Sequence, residues 1–219
     1  MGLLHDIGIV SGKDTQAAKI FEELFPNFLE LPYKVPSEYI SKCWDTYVEY
    51  DKKKNLAGNS NGEIFEYLLA TLFIKEGLLP LFLQANVAFV PNVSFDLMLY
   101  TLEKGPICLS AKTSLRERYK QADLEAMALK NVHRKSISYL ITLDKKEAAN
   151  LKAKIEKGDT LGLDKVIIAT ETEFDQMIVE LVGYTITEPP QVEVIEANKK
   201  ITEEKIKNLN LQTPPSNIK

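Results

Sequence analysis

The stretch LSAKTSLRERYKQADLEA, residues 109–126, carries the pattern that decides the fold of this chain. Its first residues are apolar, as in a buried strand that ends at Lys112, and its second half is helical in pattern, with small residues on one face. Asp96 stands sixteen residues before the lysine in another strand-like run, and a turn at Gly105 separates the two runs. We therefore expect a hairpin that places Asp96 and Lys112 side by side at one end of a sheet.

Strand-like and helical runs alternate on both sides of this stretch. The order is helix, three strands, helix, strand, helix, strand and helix, which predicts an α/β fold with a central mixed β-sheet flanked by helices. An N-terminal helical region precedes it, and Ser60 and Glu63 have the spacing of a capping box for the third helix. The strands are expected at 84–90, 95–101, 107–111, 137–143 and 165–169, and the helices at 14–24, 36–53, 63–75, 116–132, 145–157 and 172–182.

The composition permits one large domain and a DNA-binding face. The chain has 219 residues, of which 45% are hydrophobic, enough to build a substantial core. The net charge of −4 and the pI of about 5.4 argue at first against a nucleic-acid partner. However, residues 112–135 contain seven basic and three acidic residues, so this stretch carries +4 and the remainder −8. A basic stretch on an acidic body fits a protein that meets DNA on one face.

Several classes of protein are disfavoured. Two cysteines, Cys43 and Cys108, are too few for a disulfide framework or a zinc site, and we expect both to be buried free thiols. The N-terminal residues lack the basic and apolar regions of a secretion signal. No apolar run is long enough to span a membrane, so we expect a cytoplasmic protein with no membrane partner.

Three acidic residues and one lysine could build a centre that hydrolyses phosphodiesters, which requires a cation at the phosphate and an oriented water. Asp96 lies between two large apolar residues and needs a partner cation if it is buried. Lys112 could orient or deprotonate the attacking water. Residue 110, where nucleases of this kind carry an acid, is a serine and a poor Mg²⁺ ligand, but Glu125 on the next helix can supply the missing carboxylate. We assign Mg²⁺ to Asp96 and Glu125.

Glu66, on the third predicted helix, could reach the same metal through water. Each of these residues also has an ordinary interpretation. Asp96 could end a turn in water, and Lys112 could extend from the strand end into solvent. Glu125 could be an exposed helix carboxylate, and Glu66 could lie apart from any site. The joint spacing of the four residues favours the catalytic interpretation.

Arg116, Glu117 and Arg118 have the chemistry needed to read base edges. Arginine can donate two hydrogen bonds to guanine O6 and N7, and glutamate can accept one from cytosine N4. Beside the lysine, they would meet adjacent C·G pairs, although a solvated helix start with local ion pairs is the alternative. Ser114 and Lys120 are assigned to the DNA backbone.

The run KTSLRERYKQ, residues 112–121, resembles the Lys-(Thr/Val)-(Thr/Ser)-x-(Lys/Arg)-(Asp/Glu)-Arg-Trp-Arg-Gln run of the EcoRII/SsoII/PspGI-like group of type II restriction endonucleases, in the PD-(D/E)XK superfamily. In that group the second metal-binding acid lies on the helix thirteen residues after the lysine, as Glu125 does here. Tyr119 replaces the usual tryptophan, and Phe95 stands in place of the motif's proline.

This resemblance implies the restriction-endonuclease fold and a catalytic set of Asp96, Lys112 and Glu125, with Glu66 as the counterpart of the group's N-terminal helix glutamate. It also implies that Arg116, Glu117 and Arg118 contact C·G pairs. The expected enzyme is a Mg²⁺-dependent type II site-specific deoxyribonuclease that cleaves double-stranded DNA at a palindromic site containing CC and GG and leaves 5′-phosphates.

A palindromic target implies a homodimer with one site for each strand, and we expect a cognate DNA methyltransferase as its functional partner. Some members flip central bases onto an N-terminal aromatic; Trp44 could do so, or could be a core residue of its helix. The alternatives are a DNA repair or junction-resolving nuclease of the same fold and a non-catalytic DNA-binding protein.

Three regions follow from this interpretation. Residues 1–56 form an N-terminal helical region for DNA clasping or dimerisation, and residues 57–184 form the nuclease core. Residues 185–219 form a partly flexible C-terminal extension, weakly ordered from residue 202 onward.

Overall fold

The structure follows the alternation of strand-like and helical runs in the sequence. It is a computed structural model that describes residues 2–12 and 15–191. Five strands form one mixed sheet in chain order, with the first three strands antiparallel and the last three parallel. The predicted α/β architecture, with helices on both faces, is confirmed. The strands are β1 (Phe82–Ala85), β2 (Phe95–Thr101), β3 (Gly105–Lys112), β4 (Ile137–Thr142) and β5 (Lys165–Ile168), and the helices are α1 (Leu3–Ile7), α2 (Gln16–Leu24), α3 (Pro36–Lys54), α4 (Asn61–Lys75), α5 (Arg118–Val132), α6 (Lys145–Lys157) and α7 (Thr172–Val182), with a 3₁₀ turn at Phe28–Glu30.

The larger apolar core lies on one face of the sheet. Alternate residues of β3, including Ile107 and Leu109, belong to this core together with α4 and α7. Helix α4 is apolar around most of its circumference because it lies between the sheet and helices α2 and α3. The N-terminal helices therefore share one core with the sheet, and the described residues up to Pro189 form one compact unit.

Helices α5 and α6 cover the opposite face. The face of α5 predicted to carry small residues, Ala122 and Ala126, is buried together with Leu129. Residues of this face include Cys108, which joins Leu129 in one apolar cluster. Lys112 shares the strand parity of Cys108, so it lies on the face that α5 covers.

The connection between α6 and β5 contacts helix α5 and fixes its position. The Asp123 carboxylate accepts hydrogen bonds from the N–H groups of residues 161–163 at 2.8–3.0 Å. Gly162 lies so close to α5 that a Cβ added to it would stand 2.2 Å from the Met127 nitrogen. Lys130 forms an ion pair with Asp164 at 2.7 Å. These contacts set the position of the helix that carries Glu125.

Two local predictions were wrong in detail. The first strand is Phe82–Ala85 rather than 84–90, because its pairing with β2 ends where Ala85 lies opposite Phe95, and the backbone beyond it is not extended at Phe89, whose φ is 65°. The apolar side chain of Val90 packs into a satellite cluster instead of continuing the ladder. Helix α5 begins at Arg118 rather than at residue 116, whose φ is +35°.

The predicted capping box at Ser60 and Glu63 is also wrong. The Ser60 side chain makes no cap hydrogen bond at α4. The Glu63 carboxylate instead accepts hydrogen bonds from the hydroxyls of Thr15 (2.7 Å) and Tyr67 (3.1 Å). A longer-range partner has therefore displaced the local one, and it ties the start of α2 to α4.

Other expectations concern the cysteines, the tail and the membrane. Cys43 and Cys108 are free and buried, as predicted, and burial raises the pKa of each thiol to about 12. The backbone at 185–187 pairs with the end of β2 through Thr185 and Thr187. The tail expected from residue 202 onward lies outside the described residues. Within the described ranges, no helix has the length and apolar character needed to cross a membrane.

Candidate active site

Asp96 and Lys112 meet at one end of the sheet because β2 and β3 form the predicted hairpin. The strands pair in a register that sets Leu97 opposite Leu109. The Asp96 Oδ2 atom accepts hydrogen bonds from Lys112 Nζ and from the Ala111 N–H, each at 2.8 Å. The two charged side chains are only 14% and 17% exposed. The partner cation that a carboxylate in this position requires is therefore Lys112.

Glu66 approaches the same place from α4. Its Oε2 atom accepts a hydrogen bond from Gln84 Nε2 of β1 at 3.0 Å. Burial and then the negative charge of Asp96 raise the pKa of Glu66 to about 7, although Lys112 and Gln84 act in the opposite direction. A carboxyl group with this pKa changes its charge near neutral pH.

Glu125 approaches from α5. Its Oε1 atom accepts a hydrogen bond from Gln121 Nε2 at 2.7 Å. Burial raises the pKa of Glu125, the Gln121 hydrogen bond opposes this rise, and the charges of Lys112 and Asp96 act on it in opposite directions. The charged pair on the hairpin thus acts on both glutamates, so the four side chains belong to one electrostatic cluster.

The carboxylates of this cluster suit an oxygen-binding cation. Burial, and with it the negative charge of Asp96, raises the pKa of both Glu66 and Glu125, so added positive charge would favour their ionised forms. Among the described residues, no three histidine, cysteine, aspartate or glutamate side chains converge into a ready-made metal cage. Mg²⁺ commonly uses only one or two carboxylates and completes its octahedron with waters and substrate phosphates. The donor set of Asp96 and Glu125 therefore fits Mg²⁺ in kind and number.

A cleft of about 260 Å³ opens beside the cluster, and Glu66 and Asp96 line it. A larger cleft of about 420 Å³ lies between α6, β5 and α7, away from these residues. Both of its lysines are paired with glutamates of the same cleft, Lys152 with Glu173 and Lys165 with Glu180 at 3.0 Å. The smaller cleft is therefore the one associated with the candidate chemistry.

The proposed base-reading residues lie in the connection between β3 and α5. Arg116, Glu117 and Arg118 are all exposed, and Arg118 is the first residue of α5. Glu117 forms an ion pair with Lys120, which lowers the pKa of its carboxyl group. Ser114 is half-buried in the same connection. The local ion pair expected for a solvated helix start is thus present, and both arginines remain accessible.

Trp44 lies elsewhere, half-buried on α3. Its ring is 5.3 Å from that of Tyr47 and 6.0 Å from that of Phe65. This placement matches the expectation of a helix core residue.

Two polar residues of the site were not predicted from the sequence. Gln121 lies one helical turn before Glu125, and this i,i+4 spacing is a local signal that could have identified it. Gln84 has no such signal, because its contact with Glu66 depends on how α4 packs beside β1.

Comparison with known proteins supports the fold. A solved complex of the restriction endonuclease PspGI with substrate DNA superimposes with a TM-score of 0.53 and 17% sequence identity, over 76% of this chain and 81% of the PspGI chain. No family model matches the sequence, and no curated protein matches it. At this identity the likeness shows a restriction-endonuclease-like fold.

Proposed function

We propose that this chain is a type II restriction endonuclease that hydrolyses double-stranded DNA with Mg²⁺ as its cofactor. The observation that carries the proposal is the cluster of Asp96, Lys112, Glu66 and Glu125, in which the hairpin pair acts electrostatically on both glutamates. Carboxylates beside a lysine supply the groups that metal-assisted phosphodiester hydrolysis needs. The fold likeness to a restriction endonuclease solved with substrate DNA supports the same class.

Lys112 has the most direct chemical role in this proposal. Its ammonium donates one hydrogen bond to Asp96 and has further N–H groups for other acceptors. Those donors can orient the attacking water or contact the scissile phosphate. Its hydrogen bond to Asp96 fixes the ammonium at the end of the sheet.

The three carboxylates have different roles in this proposal. Asp96 and Glu125 would hold Mg²⁺, which when bound supplies positive charge at the scissile phosphate and acidifies water. Glu66 would act on the same site through water. Its pKa of about 7 allows this carboxylate to accept a proton at neutral pH, as a general base must.

Sequence readout is assigned to the exposed connection between β3 and α5. Arg116, Glu117 and Arg118 would contact C·G pairs, and Ser114 and Lys120 would contact the DNA backbone. The target would be a palindrome containing CC and GG, cut to leave 5′-phosphates. A homodimer would present one cluster to each strand, and a cognate methyltransferase would protect the host's own sites.

A plasmid digest tests this function. The purified chain is incubated with plasmid DNA in Mg²⁺ and, in parallel, in EDTA, and the products are separated by size. Discrete fragments in Mg²⁺ alone are the expected result. The ends of those fragments, sequenced with and without phosphatase treatment, report both the site and the 5′-phosphate.

The other outcomes identify the alternatives. A smear, or preferential cutting of branched duplexes, would indicate a repair or junction-resolving nuclease. Intact DNA that is nevertheless retarded in a gel would indicate a non-catalytic DNA-binding protein. Cutting that is equally fast in EDTA would contradict the metal-dependent mechanism.

A further inference from the structure

The connection between β3 and α5 has a backbone conformation that needs support. Arg116 has a φ of +35°, a region that side chains other than glycine rarely occupy. Leu115 is fully buried just before it, whereas Arg116 and Glu117 are exposed. The chain therefore turns sharply between a buried anchor and exposed arginines. Such a conformation persists only when its surroundings hold it in place.

Glu147, near the start of α6, provides that support. Its Oε2 atom accepts a hydrogen bond from the Leu115 N–H at 2.9 Å and a second one from the Arg116 N–H. One carboxylate oxygen thus binds two consecutive N–H groups at the strained position. Hydrogen bonds to an ionised acceptor are about twice as strong as neutral ones.

The sheet register brings Glu147 to this place. Lys112, at the end of β3, pairs with Thr142, at the end of β4. The two connections that leave the parallel strands therefore start side by side, one leading into α5 and the other into α6. Glu147 lies one turn into α6, within reach of the neighbouring connection.

The Glu147 side chain does not make the capping-box hydrogen bond that its position near the start of α6 predicts. Asp144 and Glu147 have capping-box spacing, in which the glutamate would bond back to the N–H of the cap residue. Here the Asp144 carboxylate still accepts from the Glu147 N–H at 3.0 Å. The Asp144 N–H, however, donates to Thr142 Oγ1 at 3.1 Å. Because Thr142 satisfies that donor, the Glu147 carboxylate is available for Leu115 and Arg116.

Among the described residues, no cation competes for the Glu147 carboxylate. Within residues 2–12 and 15–191, no lysine or arginine nitrogen forms an ion pair with it at 4 Å or less. Its charge therefore acts on the two backbone donors. Removing the carboxylate would leave the turn at Arg116 with no equivalent acceptor on α6.

We propose that Glu147 is a positioning residue for sequence recognition: it fixes the backbone at Leu115 and Arg116 and so sets the direction in which the Arg116–Arg118 segment faces DNA. Glu147 itself contacts no base. The inference rests on the proposed function, because it assumes that this segment reads the target.

Amide hydrogen exchange in the free protein tests the backbone part without DNA. We compare wild type, Glu147→Ala and Glu147→Gln with Glu156→Ala, a matched control on the exposed side of the same helix. In Glu147→Ala, the amides of Leu115 and Arg116 should exchange at least about tenfold faster, as the loss of a charge-assisted hydrogen bond requires. Glu147→Gln keeps a neutral acceptor and should be intermediate. Unchanged exchange in both variants would overturn the proposal.

Cleavage of a duplex library with a randomised central window tests the recognition part. The ratio of kcat/KM at the wild type's preferred site to kcat/KM at singly substituted sites should fall by about fivefold to about 150-fold in Glu147→Ala, the discrimination that one bidentate contact provides. Glu147→Gln should restore part of the ratio, and Glu156→Ala should not change it. A merely structural role would lower all rates and leave the ratio intact, which would contradict the proposal.

Failure of the positioning role and failure of the proposed nuclease function give different results. If wild type cleaves selectively and Glu147→Ala keeps the same selectivity, positioning by Glu147 is wrong and the nuclease assignment stands. If wild type cleaves no DNA in Mg²⁺, the proposed function fails and the recognition role falls with it, whatever the exchange rates show.

Discussion

Replacing Glu66 by glutamine should stabilise the metal-free protein at alkaline pH while damaging its activity. In the fold, burial and the charge of Asp96 raise the pKa of Glu66 from 4.5 to about 7. The folded state therefore favours the protonated form. The stability that this group contributes is complete below pH 4.5 and is lost as the pH rises through about 7.

The size of the effect follows from the two pKa values. A difference between 4.5 and about 7 corresponds to about 3 kcal/mol of unfolding free energy when the group is fully ionised. Glutamine cannot ionise, and its amide oxygen can still accept the hydrogen bond from Gln84. The Glu66→Gln variant should therefore match wild type near pH 4.5 and exceed it by up to about 3 kcal/mol near pH 8.

Urea unfolding in EDTA at a series of pH values measures this difference. Comparing the variant with wild type at each pH removes the contributions of other titrating groups. Glu156→Gln, an exposed substitution on α6, serves as the control and should change stability little at any pH. A Glu66→Gln variant whose stability tracks wild type from pH 4.5 to 8 would refute the assigned burial and coupling. Reduced Mg²⁺-dependent cleavage by the same variant would show that the Glu66 carboxylate lowers stability but is needed for activity.

Four other changes give separable results. Lys112→Ala should lower the single-turnover cleavage rate by at least about a hundredfold while gel-shift binding persists; normal cleavage would remove Lys112 from the mechanism. Glu125→Gln should stabilise the metal-free protein at pH 8, because the fold raises the pKa of the Glu125 carboxyl group. The same variant should gain less thermal stability from Mg²⁺ than wild type does, and an unchanged gain would exclude Glu125 as a ligand. Gly162→Ala should lower the unfolding free energy by about 2 kcal/mol or more, because its Cβ would meet the backbone of α5. Gly62→Ala is the control: no atom lies within 4 Å of the added Cβ, so its unfolding free energy in urea should not fall. Arg118→Ala should relax base preference in library cleavage, in contrast to a uniform loss of affinity that would indicate only a backbone contact.

The hairpin and the central sheet could be predicted from local sequence. The apolar runs of β2 and β3 flank a turn at Gly105, whose φ is 71°, so strand identity and pairing are both encoded within a short stretch. The contact between Asp96 and Lys112 follows from that pairing. The stripe of small residues likewise identified the face of α5 that is buried.

The details that were wrong depend on tertiary contacts. Gln84 has a φ of 46° within β1, and no glycine marks that position in the sequence. Glu63 has the spacing of a cap, yet its partners are Thr15 and Tyr67, and Thr15 lies 48 residues away. Long-range contacts of this kind leave no periodic trace in the sequence.

The support of the Arg116–Arg118 segment was also beyond sequence reasoning. Glu147 resembles an ordinary capping residue until the register of β3 and β4 places it beside Arg116. The predicted helix start at residue 116 failed for the same reason, because the strained backbone there depends on an acceptor thirty-one residues later.

The most direct test of the account is a crystal structure of the Lys112→Ala variant with duplex DNA bearing its target site and Mn²⁺, which takes the same carboxylate ligands as Mg²⁺ and is located by anomalous scattering. We expect the ion on the carboxylates of Asp96 and Glu125, in contact with the scissile phosphate. An ion bound elsewhere, with the phosphate distant from both carboxylates, would contradict the proposed active site.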